Sequence, residues 1–303
     1  MHRSTWSRYL SIFLLIVPLT IDPTHAIAAP RLITQSNAEF DNYMKLGYTA
    51  TIKRDYRNAL VYFKKAQVIK PNNIYTDRAI SNVTNYIEIS NNRNGQNDAT
   101  WISRGTGAPI QRISGGTRGQ SCTSNKACLT SLLPDRIDGQ LTTLADYPEI
   151  LFYASKTTAP QMEFILTDEV EREIYSLNLA TPKTDSMIRI DLSKLKSANG
   201  TVLPPLKVGR KYTWSFTILN ETVDRSNNPI LEGSILRQEV DPNLAEMLTK
   251  ASPIDRISIY AVNNIWYDFV SSLYQQKLAQ PTDREIARNW DNLLKDIKLT
   301  VEK

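Results

Sequence analysis

The chain has 303 residues, of which 41% are hydrophobic and 22% are charged, and its formal net charge is +5. This composition is typical of a globular protein and excludes a collagen-like, wholly disordered or multi-span membrane chain. The length suffices for two modest domains. The chain has two histidines, His2 and His25, and two cysteines, Cys122 and Cys128. Because both histidines lie within residues 1–25, any catalysis or metal binding by histidine depends on that segment.

Residues 1–28 have the pattern of a secretory signal peptide. Arg3 and Arg8 precede or flank an apolar run over 9–21 that is too short to span a bilayer, and Ala26-Ile27-Ala28 provides a cleavage site. We expect cleavage after Ala28, no transmembrane span afterwards, and a periplasmic or extracellular location in the cell envelope. The alternative is an uncleaved anchor. Cleavage would remove both histidines, which excludes Ser-His-Asp and Cys-His catalysis and histidine-ligated metal sites.

Residues 37–90 have helical periodicity, with a turn at 53–55 and a third helix predicted over 74–89. The pattern resembles a tetratricopeptide repeat in Tyr43, Leu46, Gly47, Ala59, Phe63, Ala66 and Pro71. Gly47 and Ala59 let two helices approach closely, and Phe63 fills the remaining space. A single unit must dock on this chain, a second copy or a partner. We expect it to bind a protein or peptide partner.

Residues 91–120 are rich in glycine, asparagine and serine and predict a linker. The stretch 99–134 contains four bases and no acid, which fits a solvated linker or a contact with an anionic polymer. Cys122 and Cys128 follow, and in an oxidising compartment we expect them to form a disulfide. A redox or metal site is the alternative for this cysteine pair.

Residues 121–240 predict an antiparallel β-sandwich, because six short segments have strand character, most with apolar residues at every second position. A bulge is expected at Gly233 in the last of these segments. The predicted strands include residues 149–154, 162–166, 175–179, 188–192, 212–218 and 230–240.

Residues 241–303 predict a C-terminal helical region that resembles a degenerate repeat unit. Asp241-Pro242 and Ser252-Pro253 each have the form of a cap followed by proline at the first helical position. The second helix is expected to continue over 265–278, and Pro281 is expected to open the last helix. The fold class is therefore α+β, with a helical hairpin, a sandwich and C-terminal helices.

Several motifs suggest chemistry, but each also has a structural explanation. Ser193 and Lys196 have the spacing of serine/lysine acyl enzymes, in a polar turn. The acids Asp168, Glu169, Glu171 and Glu173 cluster at a predicted hairpin turn and are either catalytic carboxylates or a solvated tip. An incomplete calcium loop or a plain turn is formed by Asp224, Ser226 and Asn228. The aromatics Trp266, Tyr267 and Trp290 either stack on sugars or pack in a core.

The middle and C-terminal segments include GTRGQSC (116–122), LPPLKVGRKYTWSF (203–216) and ASPIDRISIYAVNNIWYD (251–268), among others. In this order the segments resemble a cyanobacterial family described as domain of unknown function 928, over about residues 116–297. It implies a cyanobacterial envelope or periplasmic protein and brings no catalytic residues.

We expect a non-enzymatic interaction scaffold of the cell envelope, with no catalytic residue, cofactor, metal or nucleic acid. One alternative is a carbohydrate-binding module or a carboxylate-dependent polysaccharide hydrolase. Another is a structural piece of an envelope assembly that functions only within the complex.

Overall fold

The computed structural model describes residues 28–92, 112–114, 129–134, 140–195, 202–220, 225, 228–297 and 299. These residues form N-terminal helices, two β-sheets and C-terminal helices, so the predicted α+β class is confirmed. Residues 1–27 of the predicted signal segment lie outside the described residues, and its last residue, Ala28, is the first residue of a helix. The pair Cys122 and Cys128 also lies outside the described residues.

The N-terminal helices are α1 (Ala28–Ile52), α2 (Tyr56–Ile69) and α3 (Ile74–Asn92). Asp55 caps α2 by accepting a hydrogen bond from the backbone N–H of Asn58. A Cβ atom on Gly47 would lie only 2.4 Å from Cε1 of Phe63. The absence of a side chain at Gly47 therefore lets Phe63 of α2 pack directly on the backbone of α1.

Strands β4 to β9 lie where the sequence predicts six strands, and β1 lies within the predicted linker 91–120. The strands are β1 (Arg112–Ser114), β2 (Leu129–Ser131), β3 (Thr142–Thr143), β4 (Glu149–Ala154), β5 (Gln161–Thr167), β6 (Glu173–Ala180), β7 (Ser186–Asp191), β8 (Lys211–Leu219) and β9 (Ile230–Arg237).

The strands form two sheets. The larger sheet has the order β1-β9-β8-β5-β6, with β3 paired to β9 as well, and the smaller sheet has the order β2-β4-β7. The pairings are antiparallel except that of β3 with β9, which is parallel. The sequence predicts only antiparallel pairs because β3 is too short to leave a recognisable alternating pattern.

The two sheets meet at Phe152 of β4, which is fully buried. Its ring lies 4.4 Å from the ring of Phe216 and 5.0 Å from that of Trp214, measured between centroids. Both of these residues belong to β8 of the larger sheet. Residues 150–154 of β4 are all buried, because helix α6 contacts the same strand. The smaller sheet is thus enclosed between the larger sheet and a helix.

The predicted bulge at Gly233 is wrong, because the β8–β9 register runs without a shift and pairs Gly233 with Trp214. A Cβ atom on Gly233 would lie 2.2 Å from Cζ2 of Trp214. The glycine is therefore explained by the close approach of the indole ring. A register shift occurs instead between β5 and β6, at Leu166 and Thr167.

The C-terminal helices are α4 (Pro242–Lys250), α5 (Pro253–Val262), α6 (Trp266–Ala279) and α7 (Arg284–Asp296). The predicted caps are confirmed, since Asp241 caps α4 and Ser252 caps α5. Two other predictions are wrong. Residue Asn264, with a φ of 60°, separates α5 from α6. The last helix begins after its cap Asp283 and not at Pro281, because the Asp283 carboxylate binds the first free N–H groups.

The unit α5–α7 repeats the geometry of the unit α1–α3 at an offset of 210 residues. The first helices end at Ile52 and Val262, and the second helices, α2 and α6, have 14 residues each. The third helices begin at Ile74 and Arg284. We call α1–α3 the N-terminal helical unit and α5–α7 the C-terminal helical unit.

The turns of the two units also match at this offset. Arg54 and Asn264 both have a positive φ, and the N–H of each donates to the carbonyl three residues earlier. Asn73 and Asp283 cap the third helices in the same way, each accepting from the N–H groups two and three residues later. The β-sheets therefore lie in sequence between two helical units of one design.

Candidate functional site

The N-terminal helical unit docks on the C-terminal helices through an apolar seam. Side chains of α1, α2 and α3 form one buried cluster with Leu244 of α4, Ile259 of α5 and Ile265. Tyr260 of α5 packs against both this cluster and the core of the sheets. The docking surface that a single helical unit needs therefore lies within the same chain.

Most of the predicted repeat residues contribute to this cluster. Ala59, Phe63 and Ala66 are buried, and Tyr43 packs against them. Leu46, by contrast, is exposed. Pro71 lies in the turn that follows α2.

Polar contacts connect the two sides of the seam. The hydroxyl of Tyr48 donates to Asp241 at 2.8 Å, and that of Tyr86 donates to the carbonyl of Ala261 at 2.9 Å. Asn264 donates to Asn82 across the same seam. Burial and the neighbouring Asp241 carboxylate raise the pKa of Tyr48 well above its usual range, which keeps this hydroxyl a donor.

Helix α4 covers one face of α1. Lys45 pairs with Glu246 at 2.8 Å, and Asn243 donates to Asp41 at 3.2 Å. Hydrogen bonds from Lys250 and then Lys45 lower the pKa of Glu246 to about 2. Asp41, Lys45 and Tyr48 on this face of α1 thus make their polar contacts with α4 and its cap Asp241.

A small cleft opens at this seam, with about 290 Å³ of empty space that includes open solvent. Its polar lining includes Tyr48, Tyr75, Arg78, Glu239 and Asp241. Tyr48 and Tyr75 hydrogen bond to Asp241 and Glu239, respectively. Because both tyrosines and both carboxylates of the lining already bind one another, the cleft is a polar junction of the seam.

The outer face of α2 is exposed and carries bases beside apolar side chains. Arg57, Val61, Lys64 and Val68 follow one another at helical spacings of four, three and four residues, so they share a face. The side chain of Val61 is 50% exposed and that of Val68 is 81% exposed. Helix α2 contains no acidic residue. We call these four residues the α2 outer face.

In the C-terminal helical unit, α6 has a face that corresponds to the α2 outer face, and strand β4 packs on part of it. At the offset of 210, Arg57 corresponds to Tyr267 and Val61 to Ser271, and both of the latter are buried. Lys64 corresponds to the half-buried Tyr274 and Val68 to the exposed Leu278, so the first half of the face is the covered part. The hydroxyl of Ser271 donates to the carboxylate of Glu149 at 2.6 Å, and Gln275 donates to the same oxygen at 3.0 Å. Strand β4, which begins with this carboxylate, thus packs on a face whose counterpart on α2 is exposed.

The predicted carboxylate cluster forms the tip of the β5–β6 hairpin, over residues 168–173. Asp168 pairs with Arg172 at 2.7 Å, and Glu169 pairs with Arg210. The hydrogen bond from Arg172 is the main cause that lowers the pKa of Asp168. A general acid requires a raised pKa, so Asp168 lacks the environment that this role needs. Val170 at the tip is 72% exposed.

Asp268 of α6 is a buried carboxylate that the sequence analysis did not single out. Its Oδ2 accepts hydrogen bonds from the hydroxyl of Thr143 at 2.7 Å and from the N–H of Leu144 at 3.1 Å. Burial raises the pKa of Asp268 to about 6, against the opposing effect of these two hydrogen bonds. The carboxylate fixes strand β3 to helix α6.

We expect Asp268 to make stability depend on pH. Its pKa is higher in the folded chain, so the folded chain holds more protons between about pH 4 and pH 6. The associated stabilisation is complete below about pH 4 and is lost as the pH rises through about 6. With a shift of about two pKa units, the change is about 3 kcal/mol. The free energy of unfolding is measured by urea titration at a series of pH values. Between about pH 4 and pH 6 it should fall by less in D268N than in wild type. The same dependence on pH in both proteins would contradict this role of Asp268.

The aromatic candidates Trp266, Tyr267 and Trp290 are buried in the core. Trp266 donates to the carbonyl of Leu132 at 2.9 Å, and Tyr267 donates to that of Ser234 at 2.8 Å. These three rings therefore pack and bond within the chain and offer no stacking surface for a sugar.

The remaining sequence candidates are distributed as follows. Ser193 donates to Asp191 in a short 3-10 turn, and its predicted companion Lys196 lies outside the described residues. Asn228 is buried and accepts from the N–H of Asn220. The other two residues of the predicted calcium loop, Asp224 and Ser226, lie outside the described residues. Among the residues that are described, no three His, Cys, Asp or Glu side chains gather as metal ligands.

The α2 outer face is absent from the sequence-based prediction, because that prediction uses only the apolar positions of α2 that face α1. A sequence signal for it exists. An acid-free helix in which bases alternate with valines at helical spacing indicates a second, partly apolar face.

Together these features define an α+β protein in which the strands of two β-sheets lie, in sequence, between two matching helical units that pack against each other. The chain belongs to the family described as Domain of Unknown Function (DUF928), whose model matches residues 113–302. A search of curated proteins finds no match. No helix within the described ranges is long and apolar enough to cross a membrane.

Proposed function

We propose that this protein is an exported, non-enzymatic scaffold of the cell envelope that binds an acidic polypeptide partner through the α2 outer face. Export is supported by Arg3, Arg8 and the apolar run over 9–21. The family match supports no more specific activity.

One observation carries the proposed binding surface. The two helical units share one geometry, yet Arg57 and Val61 on the first half of this face of α2 are exposed, whereas their counterparts on α6, Tyr267 and Ser271, are buried. The occupant of the α6 face, β4, presents the carboxylate of Glu149 to Ser271 and Gln275. On α2, Val61 takes the position of Ser271, and Gln275 corresponds to Lys65, which lies beside the α2 outer face with its Nζ over the ring of Tyr43. A partner with carboxylates and apolar side chains is the complement of such a face.

The contacts between α4 and α1 move the proposed binding surface from the helical hairpin as a whole to the outside of α2. The sequence analysis expects the helical hairpin as a whole to present a groove. Helix α4 packs on one face of α1, and among the α1 side chains that the structure describes, over 35–52, the exposed ones include a single large apolar residue, Leu46. The outside of α2 is therefore the more extensive accessible surface of the hairpin. Exposed valines that are flanked by bases fit a protein contact of modest area.

We expect variants of the α2 outer face to lose the partner. The tagged protein would be purified from its native cells as wild type, as R57E/K64E and as V61S/V68S. A partner should co-purify with wild type and be lost from both variants. These residues are exposed, so the urea midpoints should stay near wild type.

The matched control is K156E/K183E, which makes the same charge change at two exposed lysines away from α2. It should retain the partner. The comparison includes the untagged copy of the chain that the native cells also make. If all four tagged proteins retain the same proteins and the same amount of this copy, the α2 outer face is not the binding surface and the proposal fails.

A further inference from the structure

We infer that the acidic polypeptide bound by the α2 outer face is the β5–β6 hairpin tip of a second copy of this chain. This inference rests on the proposed function, because it names the partner of the same surface. If the partner is a second copy, the protein is a subunit that associates head to tail with itself.

The charges of the two surfaces are complementary. At the tip, Glu169 and Asp168 are paired with Arg210 and Arg172. The carboxylates of Glu171 and Glu173 are exposed and form no hydrogen bond or ion pair with any residue that the structure describes. Arg57 and Lys64 on α2 are likewise exposed and unpaired within the same ranges. The tip therefore offers two unpaired negative charges, and the α2 outer face offers two unpaired positive charges.

The apolar groups and the spacing also match. Val170 protrudes at the tip, between Glu169 and Glu171, and Val61 and Val68 protrude on α2 beside the bases. Arg57 and Lys64 are seven residues apart, or about 10 Å along the helix axis. Glu171 lies in the turn with a φ of 61°, and Glu173 is the first residue of β6. The two are therefore less than about 7 Å apart along the chain, the limit for full extension. Long side chains span the difference from the bases, so both ion pairs can form around a valine contact.

The two surfaces lie on different parts of the chain, so their contact is heterologous. Such a contact leaves one α2 face and one tip free in each dimer, and it generates chains or closed rings. The contact is small and relies on exposed charges. We therefore expect weak association that salt reduces.

The test is sedimentation of the purified protein over a concentration series at low and high salt. The average mass of wild type should rise with concentration at low salt, and high salt should reverse the rise. The basic-face variant R57E/K64E and the tip variant E171K/E173K should each remain monomeric. The control E88K/D291K, with the same charge change at exposed acids elsewhere, should associate like wild type.

Mixing the variants separates this inference from a general loss of solubility or folding. A mixture of the basic-face and tip variants combines one intact α2 face with one intact tip, and one reversed face with one reversed tip, so it should associate although neither variant does so alone. A chain with all four substitutions has both charges reversed and should associate again.

Three results would overturn the inference. Wild type could remain monomeric throughout, the tip variant could associate like wild type, or the mixture could stay monomeric. Phosphatidylglycerol vesicles that bind wild type but not R57E/K64E, without self-association, would identify an anionic lipid as the occupant. In each case a partner lost from R57E/K64E in the purification above would still support the proposed function.

Discussion

Replacement of Gly233 by alanine is expected to lower the free energy of unfolding by about 3 kcal/mol, at the upper end of overpacking effects. A Cβ atom would lie 2.2 Å from Cζ2 and 2.6 Å from Cε2 of Trp214. The indole cannot move away easily, because it is fully buried and its Nε1 donates to the hydroxyl of Tyr267 at 3.1 Å. Its ring also packs edge-on against Phe152. Urea unfolding of G233A measures the loss.

A second substitution shows whether the indole is the cause. The change W214F removes the part of the ring that the new methyl group would strike. The double variant G233A/W214F should therefore lose less stability than the sum of the two single losses, by more than about 1 kcal/mol. Additive losses would contradict the explanation.

Gly209 provides a control of the opposite kind. A Cβ there would meet no atom within 4 Å, but the residue has a φ of 76°. G209A should cost about 1 kcal/mol, from the backbone conformation alone. The expected order, with G233A clearly worse than G209A, distinguishes steric overlap from the loss of conformational freedom.

The Gly233 example shows the limit of what the sequence predicts. Period-two patterns locate the strands because burial on one face is a local property of the chain. The alternation of Tyr212, Trp214, Phe216 and Ile218 with polar residues is therefore enough to predict β8. A glycine within a strand indicates either a bulge or a close neighbour. That neighbour, Trp214, lies on the adjacent strand, so only the tertiary structure separates the two explanations.

The same distinction applies to the helices and the candidate site. Caps such as Asp241 and Ser252 act on N–H groups a few residues away, and the sequence predicts them correctly. The break at Asn264 is missed because asparagine adopts the left-handed conformation without requiring it. The seam depends on residues 193 positions apart, such as Tyr48 and Asp241. The exposure of the α2 outer face depends on where the rest of the chain packs, which local patterns do not encode.

Replacement of Phe152 by alanine is expected to cost about 3 to 5 kcal/mol, because a large buried ring is removed and its site cannot collapse. The ring contacts Phe216, Trp214 and Phe164 of the larger sheet. These rings are themselves fully buried and held in strands. A loss of this size is a large fraction of the total stability of a typical domain. The exposed V170A should change stability by less than about 0.5 kcal/mol.

The effect of F152A should also reach the helices, because Tyr260 packs against both the sheet core and the seam cluster. Unfolding in urea can be followed by tryptophan fluorescence, which reports on the core residues Trp214, Trp266 and Trp290, and by far-ultraviolet circular dichroism, which reports mainly on the helices. We expect both signals of F152A to shift to the same lower urea midpoint. If only the fluorescence midpoint falls, the seam is a separate folding unit. A loss no larger than that of V170A would contradict the role of Phe152 as the contact between the sheets.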